Sequence, residues 1–252
     1  SATCAILKLG TRTKSEKERT HMKQVLLLLL MGVFGLVGVA QAVVCNGITV
    51  THFMTCNVPA DYDDATAQVI EGTSCVDVVD IGENDIICTR DGDDSVYVGT
   101  GGTGTAQVWG GNGNDDIICA GQCFVNGGPG ADQINCGAAF GNQPTCEING
   151  SSGNDSITCK SNCDASGGTG ADLFIISLSN FITANAVTLH GNDNNDVFKF
   201  QGISDTTVNL ILDGGIASDT ATCLTAENNP TTFAAMNVNV VSLVSIETNN
   251  CD

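Results

Sequence analysis

Gly127-Gly-Pro-Gly-Ala-Asp132-Gln-Ile134 contains a pattern that recurs through the middle of the chain. Close copies are Gly110-Gly-Asn-Gly-Asn-Asp115-Asp-Ile117, Gly150-Ser-Ser-Gly-Asn-Asp155-Ser-Ile157 and Gly167-Gly-Thr-Gly-Ala-Asp172-Leu-Phe174. Weaker copies surround Asp94, Asp196 and Asp219. Successive aspartates of this series are 17 to 24 residues apart, and a repeat of that length is typical of a protein built from stacked, similar units.

The residue type at each position of the unit can be explained physically. Glycines at the first, second and fourth positions permit positive φ angles, so that backbone carbonyls can turn towards the inside of a bend. The aspartate at the sixth position adds a carboxylate to those carbonyls. The apolar residue two positions later, such as Ile117 or Phe174, points into the core, because side chains alternate between the two faces of a strand.

One aspartate per repeat indicates a coiled chain. A turn made of two short strands and two bends needs about 18 residues, so the same bend recurs along one edge. We therefore predict an all-β fold, a parallel β-solenoid or β-roll with turns of roughly 18 residues. Cysteine-rich segments such as Cys119-Ala-Gly-Gln-Cys123 would form the opposite edge. The unit Gly101-Gly-Thr-Gly-Thr-Ala106 has Ala where Asp is expected and should leave a vacant half-site.

The unit resembles the calcium-binding nonapeptide of hemolysin-type, or repeats-in-toxin (RTX), proteins, Gly-Gly-x-Gly-x-Asp-x-apolar-x. The units at Gly110, Gly127 and Gly167 match it in full, and the similarity covers roughly residues 80 to 220. The resemblance implies that loops of successive turns, stacked on one edge, hold Ca²⁺ between them through carbonyls and aspartates. An all-oxygen ligand set of this kind suits Ca²⁺ better than Mg²⁺.

Transferred position by position, the resemblance gives Ca²⁺, as several ions, for the cofactor and a set of expected ligands. The aspartates are Asp94, Asp115, Asp132, Asp155, Asp172, Asp196 and Asp219. The glycines of the loops are Gly110, Gly111, Gly113, Gly127, Gly128, Gly130, Gly150, Gly153, Gly167, Gly168 and Gly170. The alternative is that the aspartates only stabilise turns through local hydrogen bonds.

Net charge limits the partners. From residue 43 onward, three basic residues (Arg90, Lys160 and Lys199) stand against 26 Asp and Glu. Such a surface cannot neutralise phosphates, which excludes nucleic acid and anionic membranes as partners. Crowded carboxylates repel one another unless cations lie among them, and divalent metal would relieve that repulsion. Acidic solubility of the halophilic kind is the alternative explanation.

Residues 22–42 have the features of a secretory signal peptide, with a short positive start, the apolar run Val25–Val39 and small residues at Ala40-Gln41-Ala42. The run is shorter than the roughly 20 residues that cross a bilayer, so no membrane span is expected after cleavage. The expected segments are an upstream extension (1–21), the signal peptide (22–42), an N-terminal cap (43–80), the calcium-binding β-roll (81–220) and a C-terminal cap (221–252).

Cleavage would leave twelve of the 13 cysteines, and an even number in an exported chain favours disulfides. Their order suggests local pairs: Cys45–Cys56, Cys75–Cys88, Cys119–Cys123, Cys136–Cys146, Cys159–Cys163 and Cys223–Cys251. Inter-turn pairing within the column of Cys119, Cys136 and Cys159 is the alternative. A structural zinc site is not expected, since the chain has no Cys-x2-Cys pair.

The sequence carries neither the His-Glu-x-x-His motif of metalloproteases nor the Gly-x-Ser-x-Gly motif of hydrolases. We therefore expect no enzyme, but a secreted, extracellular, calcium-binding structural or interaction protein of matrix or adhesion type. Its folding would depend on Ca²⁺, because empty carboxylate loops repel one another. Its partner would be an extracellular protein or glycan. The alternatives are a carbohydrate-active β-solenoid enzyme and a protein that binds ice or mineral.

Overall fold

The computed structural model describes residues 44–62, 66–99, 104–137, 145–178, 185–202, 204, 207–225, 229–236 and 238–251. The expected upstream extension and signal peptide lie outside these residues. Apart from Leu178, which has 3₁₀ conformation, every regular element within the described ranges is a strand. The strands are β1 (Val44–Cys45), β2 (Ile48–Thr49), β3 (His52–Phe53), β4 (Ala60–Tyr62), β5 (Val69–Glu71), β6 (Val78–Ile81), β7 (Ile86–Cys88), β8 (Ser95–Val98), β9 (Thr105–Trp109), β10 (Asp116–Cys119), β11 (Gln122–Pro129), β12 (Gln133–Cys136), β13 (Thr145–Ser152), β14 (Ser156–Cys159), β15 (Asn162–Thr169), β16 (Leu173–Ser177), β17 (Asn185–Asp193), β18 (Val197–Gln201), β19 (Val208–Asp213), β20 (Thr220–Leu224), β21 (Val238–Val244) and β22 (Thr248–Asn250).

From β3 onward the strands form two ten-stranded parallel sheets. The odd sheet contains β3, β5 and each following odd strand to β21, and the even sheet contains β4 to β22 in the same way. Each turn adds one strand to each sheet, and equivalent residues of the repeat pair in register: Ile117 with Ile134, and Ile134 with Ile157. The predicted parallel β-solenoid is confirmed.

The core lies between the two sheets. Alternate residues of each strand point inwards, as Cys123 and Val125 do in β11. Because equivalent residues pair in register, they stack in columns along the solenoid, and the rings of Phe174 and Phe198 stack with centroids 4.8 Å apart. Each fully buried Ile or Phe contributes roughly 1.5–3 kcal/mol relative to an exposed one.

The parallel sheets extend beyond the predicted bounds of 81–220 in both directions. Strands β3 to β6 belong to complete turns, so the expected N-terminal cap (43–80) already contains solenoid. At the other end β21 and β22 pair in parallel with β19 and β20. Phe233 and Met236 are buried there, and the Phe233 ring contacts that of Phe200. The C-terminal cap is therefore a last turn with an apolar plug.

The edge that leads from even to odd strands, here called the cysteine edge, carries three disulfides. They are Cys119–Cys123, Cys136–Cys146 and Cys159–Cys163, each within one turn. Together with Cys223–Cys251 they match the local pairing, and the inter-turn alternative is wrong. Their Cα atoms are 5.0–6.4 Å apart, within the range that a disulfide spans.

Two predicted disulfides are wrong. Cys45 pairs with Cys88, and Cys56 pairs with Cys75. The reason is the antiparallel hairpin of β1 and β2, which contacts β5 and β7 and so brings Cys45 to the end of β7 instead of leaving it beside Cys56. No helix among the described residues is long and apolar enough to cross a membrane.

Candidate metal centre

The repeated glycine units form the bends that lead from odd to even strands, and we call this side the aspartate edge. The second and fourth positions have positive φ angles, for example 105° at Gly128 and 153° at Gly130. Where the sequence departs from glycine the backbone keeps this shape, with φ angles of 85° at Ser151 and 76° at Asn192. The bends are therefore equivalent in conformation despite their substitutions.

Seven aspartates, one from each bend, form a single column that we call the aspartate ladder. Its members are Asp94, Asp115, Asp132, Asp155, Asp172, Asp196 and Asp219. The backbone N–H of each of the first six donates a hydrogen bond to Oδ1 of the aspartate one turn further on, over 2.7–2.9 Å. All seven predicted aspartates are thus brought together, and none is more than 2% exposed.

The second carboxylate oxygen, Oδ2, is buried without a hydrogen-bond partner in all seven ladder aspartates. In the units at Gly110, Gly127 and Gly150, Oδ2 lies directly beneath the first glycine, where a Cβ atom would collide with it. The carbonyl oxygen of the next turn's first glycine lies beside the same point. We call this space the glycine cradle. It also occurs at Gly191 and Gly214, so the first glycine is required for close approach rather than for a positive φ.

Burial raises the pKa of every ladder carboxyl. Loss of hydration is the main cause in each case, and the backbone hydrogen bond to Oδ1 opposes it only in part. The pKa of Asp115 rises to about 6, and those of Asp132 and Asp196 rise to about 7. Neighbouring carboxylates add to the effect, as Asp115 and Asp155 do at Asp132. Bound cations or protons would therefore stabilise the ladder by neutralising its buried carboxylates.

Asp85, on the cysteine edge, provides an internal comparison. Its Oδ1 accepts the N–H of Gln68 at 2.8 Å, in the manner of the ladder, but its Oδ2 also accepts the N–H of Gly82 at 2.9 Å. An aspartate that only stabilises a bend can thus satisfy both oxygens locally. The ladder aspartates satisfy one, which distinguishes them from the purely structural alternative.

The N-terminal end of the column is closed by threonines. Asp77, missed from the sequence, precedes the ladder and donates its N–H to Oδ1 of Asp94. Both its own oxygens accept hydrogen bonds from Thr73, at 2.9 Å from the hydroxyl and 2.6 Å from the N–H. One turn later Thr89 replaces the first glycine, and its hydroxyl donates to the carbonyl of Gly110. Burial raises the pKa of Asp94 to about 6, and Thr89 opposes this rise only in part.

The C-terminal end is closed by Glu247, also missed from the sequence. Its Oε2 accepts the N–H of Asp219 at 2.6 Å, in the place that an aspartate takes in earlier turns. Asp77 and Glu247 escaped detection because their units lack most of the glycines. A weak signal existed in Gly72 and Asp77, which have the first and sixth positions of the repeat.

Ala106, where we expected a vacant half-site, does not belong to the ladder. It lies in β9 opposite Cys123, at the cysteine edge. Ile86 pairs with Gln107, so Ala106 is aligned with Asp85 of the preceding turn. The first three residues of its own unit, 101–103, lie outside the described ranges. The sulfur atoms of Cys119, Cys136 and Cys146 also come close together, but all three form disulfides and offer no thiolate to a metal.

The donor set fits a hard divalent cation. Carboxylate Oδ2 atoms and peptide carbonyls converge on the glycine cradles, and these are the ligand types that Ca²⁺ prefers. Asp94 is the exception, because the Thr89 hydroxyl occupies its cradle. Comparison with protein-family models, with curated proteins and with solved structures gives no match for this chain.

Proposed function

We propose that this chain is a secreted, RTX-like calcium-binding structural or interaction protein whose folding is coupled to Ca²⁺. The observation that supports it is the row of buried Oδ2 atoms that face glycine cradles without a hydrogen-bond partner. Metal bound between successive turns would neutralise the stacked carboxylates and supply the interactions that Oδ2 lacks. The free energy of binding would then contribute directly to folding.

This proposal assigns roles to the ladder aspartates and to the glycines of their bends. Asp115, Asp132, Asp155, Asp172, Asp196 and Asp219 would supply carboxylate ligands. Their bend glycines would supply carbonyl ligands, and the lack of a Cβ at the first glycine lets Oδ2 and the carbonyl of the next turn approach each other. Export is supported by the six disulfides among the described residues, which are typical of oxidising compartments, and by the expected signal at 22–42. In this proposal the protein has no active site of its own.

The decisive experiment counts the ions. The mature protein, from residue 43, is purified, stripped of metal and titrated with Ca²⁺ in a calorimeter, with Mg²⁺ as the control ion. We expect at least about four Ca²⁺ per chain, weaker binding of Mg²⁺ because of its stricter geometry, and a lower melting temperature after chelation. Repeating the melts after reduction separates the contribution of the disulfides. No bound Ca²⁺, with an unchanged melting temperature of the reduced protein, would refute the proposal.

One observation bears on the alternative function, a carbohydrate-active enzyme. Asp164 lies on the outer face of the odd sheet, and Glu147 pairs with it on the neighbouring strand. Glycoside hydrolysis uses two carboxyl groups in distinct protonation states. An assay of reducing ends released from soluble polysaccharides, run with the wild type and with Glu147→Gln, decides this case. Hydrolysis that the variant lacks would favour the enzyme.

A further inference from the structure

The outer face of the odd sheet carries an unusual set of side chains between the β1–β2 hairpin and β19. Amide and hydroxyl groups dominate it, and in β9 to β15 its outward residues include no Lys or Arg. The row nearest the cysteine edge consists of Thr105, Gln122, Thr145 and Asn162. Because strands pair in register, these groups repeat at about 4.8 Å along the solenoid. They form a regular array of hydrogen-bond donors and acceptors without positive charge.

Two aromatic rings lie on this same face. Trp109 of β9 and Phe124 of β11 point outwards, are half-buried, and have ring centroids 5.6 Å apart with planes inclined by 43°. In register, Trp109 pairs with Asn126 on one side and with the disulfide-bonded Cys88 on the other, and Phe124 pairs with Gln107 and Glu147. An aromatic pair set among amides offers an apolar platform whose π faces are electronegative.

A shallow groove of about 440 Å³ lies on the face one strand beyond the aromatic pair. Its lining comes from β13, β15, β17 and β19, and five of the seven lining residues are polar: Thr145, Asn162, Asp164, Thr188 and Asn209. Hydroxyl and amide groups of this kind both donate and accept hydrogen bonds, and the Asp164 carboxylate accepts strong ones. The volume lies within the range of small-molecule sites.

We propose that this face binds a neutral glycan. The C–H face of a sugar ring would stack on Trp109 and Phe124, and hydroxyls of an adjoining unit would bond to Asp164, Thr188 and Asn162 in the groove. A polysaccharide that lies along the solenoid axis would reach both places. Uronic-acid and sulfated glycans are excluded by charge, since the chain from residue 43 has only three basic residues against 26 acidic ones.

This inference names a partner for the interaction role, but its chemistry does not use the aspartate ladder. Binding is therefore measured in millimolar Ca²⁺ on protein whose circular dichroism shows the native β-fold. Under that condition, failure to bind sugar concerns the glycan face alone, whereas absence of bound metal concerns the proposed function alone.

Trp109 is the sole tryptophan of the chain, so its fluorescence reports directly on the platform. The wild type is titrated with cellohexaose, chitohexaose and mannohexaose, and with alginate oligomers as the acidic control. We expect at least one neutral oligosaccharide to change the fluorescence saturably and the alginate to have no effect. A flat response to all three neutral oligosaccharides would overturn the inference.

Calorimetry on variants locates the site. Trp109→Ala and Asp164→Ala should each weaken binding by about tenfold or more. The matched controls lie on the outer face of the even sheet, where Tyr97→Ala and Asp116→Ala should leave the affinity unchanged. Asp164→Ala keeps the test valid if Trp109→Ala lowers the stability of the fold. Equal losses in the control variants would contradict the assignment to the odd sheet.

Discussion

The two carboxylate oxygens of a ladder aspartate have different surroundings. Oδ1 accepts a backbone N–H from the preceding turn, while Oδ2 is buried without a hydrogen-bond partner, beneath the first glycine of its own unit in every case but Asp94, where Thr89 takes that position. A neutral amide could replace the first interaction but would be a poorer ligand for a cation. Substitution by asparagine therefore separates the structural contribution of the side chain from its electrostatic contribution.

We expect Asp132→Asn to change stability with opposite signs in the two metal states. With Ca²⁺ present it should bind at least one ion fewer and lose roughly 1–3 kcal/mol of unfolding free energy. In metal-free buffer at pH about 8 it should be at least as stable as the wild type, because one repelling charge is removed. Urea unfolding in both buffers is the measurement.

Asp116→Asn is the matched control for this pair of experiments, since Asp116 is exposed on the even sheet. It should change stability little in either buffer. If Asp132→Asn were neutral with and without Ca²⁺, the ladder would be a set of turn-stabilising aspartates.

Thr89 makes one bend of the series different from the others. Thr89→Gly would empty the cradle above Asp94, which the threonine hydroxyl now occupies. We expect one additional Ca²⁺ by calorimetry, together with a loss of roughly 1 kcal/mol in metal-free stability from the added glycine. Thr105→Gly, at an exposed position of β9, should show the second effect without the first. An unchanged ion count would show that this hydroxyl is not what excludes the metal.

Among the secondary-structure elements, the β1–β2 hairpin is held to the rest of the fold by few contacts. It is antiparallel, has two residues in each strand, and contacts the solenoid through β1, which packs near β5 and β7. An isolated two-stranded hairpin is marginally stable in water. Its position therefore depends on the disulfide from Cys45 to Cys88.

Replacing both Cys45 and Cys88 by alanine should free the hairpin and leave the solenoid intact. Hydrogen exchange is expected to show loss of protection in β1 and β2, with protection in β13 to β16 unchanged. The comparison variant replaces Cys159 and Cys163, which face the core at the cysteine edge. That change should reduce protection in β13 to β16, because it removes buried sulfur and a cross-link. Equal effects of the two variants on β13 to β16 would contradict the conclusion that the Cys45–Cys88 disulfide stabilises the hairpin and not the solenoid.

The strands were predictable from the sequence where the repeat is complete. Units such as Gly127 to Ile134 fix the bend, the inward Asp and the apolar residue of the next strand, and the structure has this arrangement in each. Bends at Gly72 and before Glu247 were missed because other residues adopt the same path there. Cys45 was mispaired because its partner depends on how the hairpin folds across the sheet, which local spacing does not encode.

For the molecule as a whole, charge and fold are coupled through the ladder. Five of its carboxyls have pKa values of about 6 or about 7 in the folded state, against 3.8 for an unperturbed aspartate, and burial also raises the pKa values of Asp172 and Asp219. The folded metal-free protein therefore holds protons that the unfolded chain has released. Such groups stabilise the fold fully below pH 3.8, and this contribution is lost as pH rises through 6 to 7.

Metal-free protein should thus become less stable between pH about 4 and about 8, as seen by urea unfolding of a desalted sample. Saturating Ca²⁺ should remove or reverse this trend, because metal binding displaces the same protons and tightens as pH rises. Asp132→Asn should show a smaller pH dependence than the wild type. A metal-free stability that rises steadily with pH over this interval would contradict the burial of ionisable oxygens in the ladder.

The ladder of hydrogen bonds also bears on how such a chain could evolve. Each turn receives at Oδ1 the same kind of N–H that it presents to its neighbour, whether 17 or 24 residues separate the two aspartates. A duplicated or deleted turn would therefore find matching partners on both sides. Gene-level gain and loss of whole turns should be tolerated, and foreign peptides inserted at the cysteine edge should leave the register of the aspartates untouched.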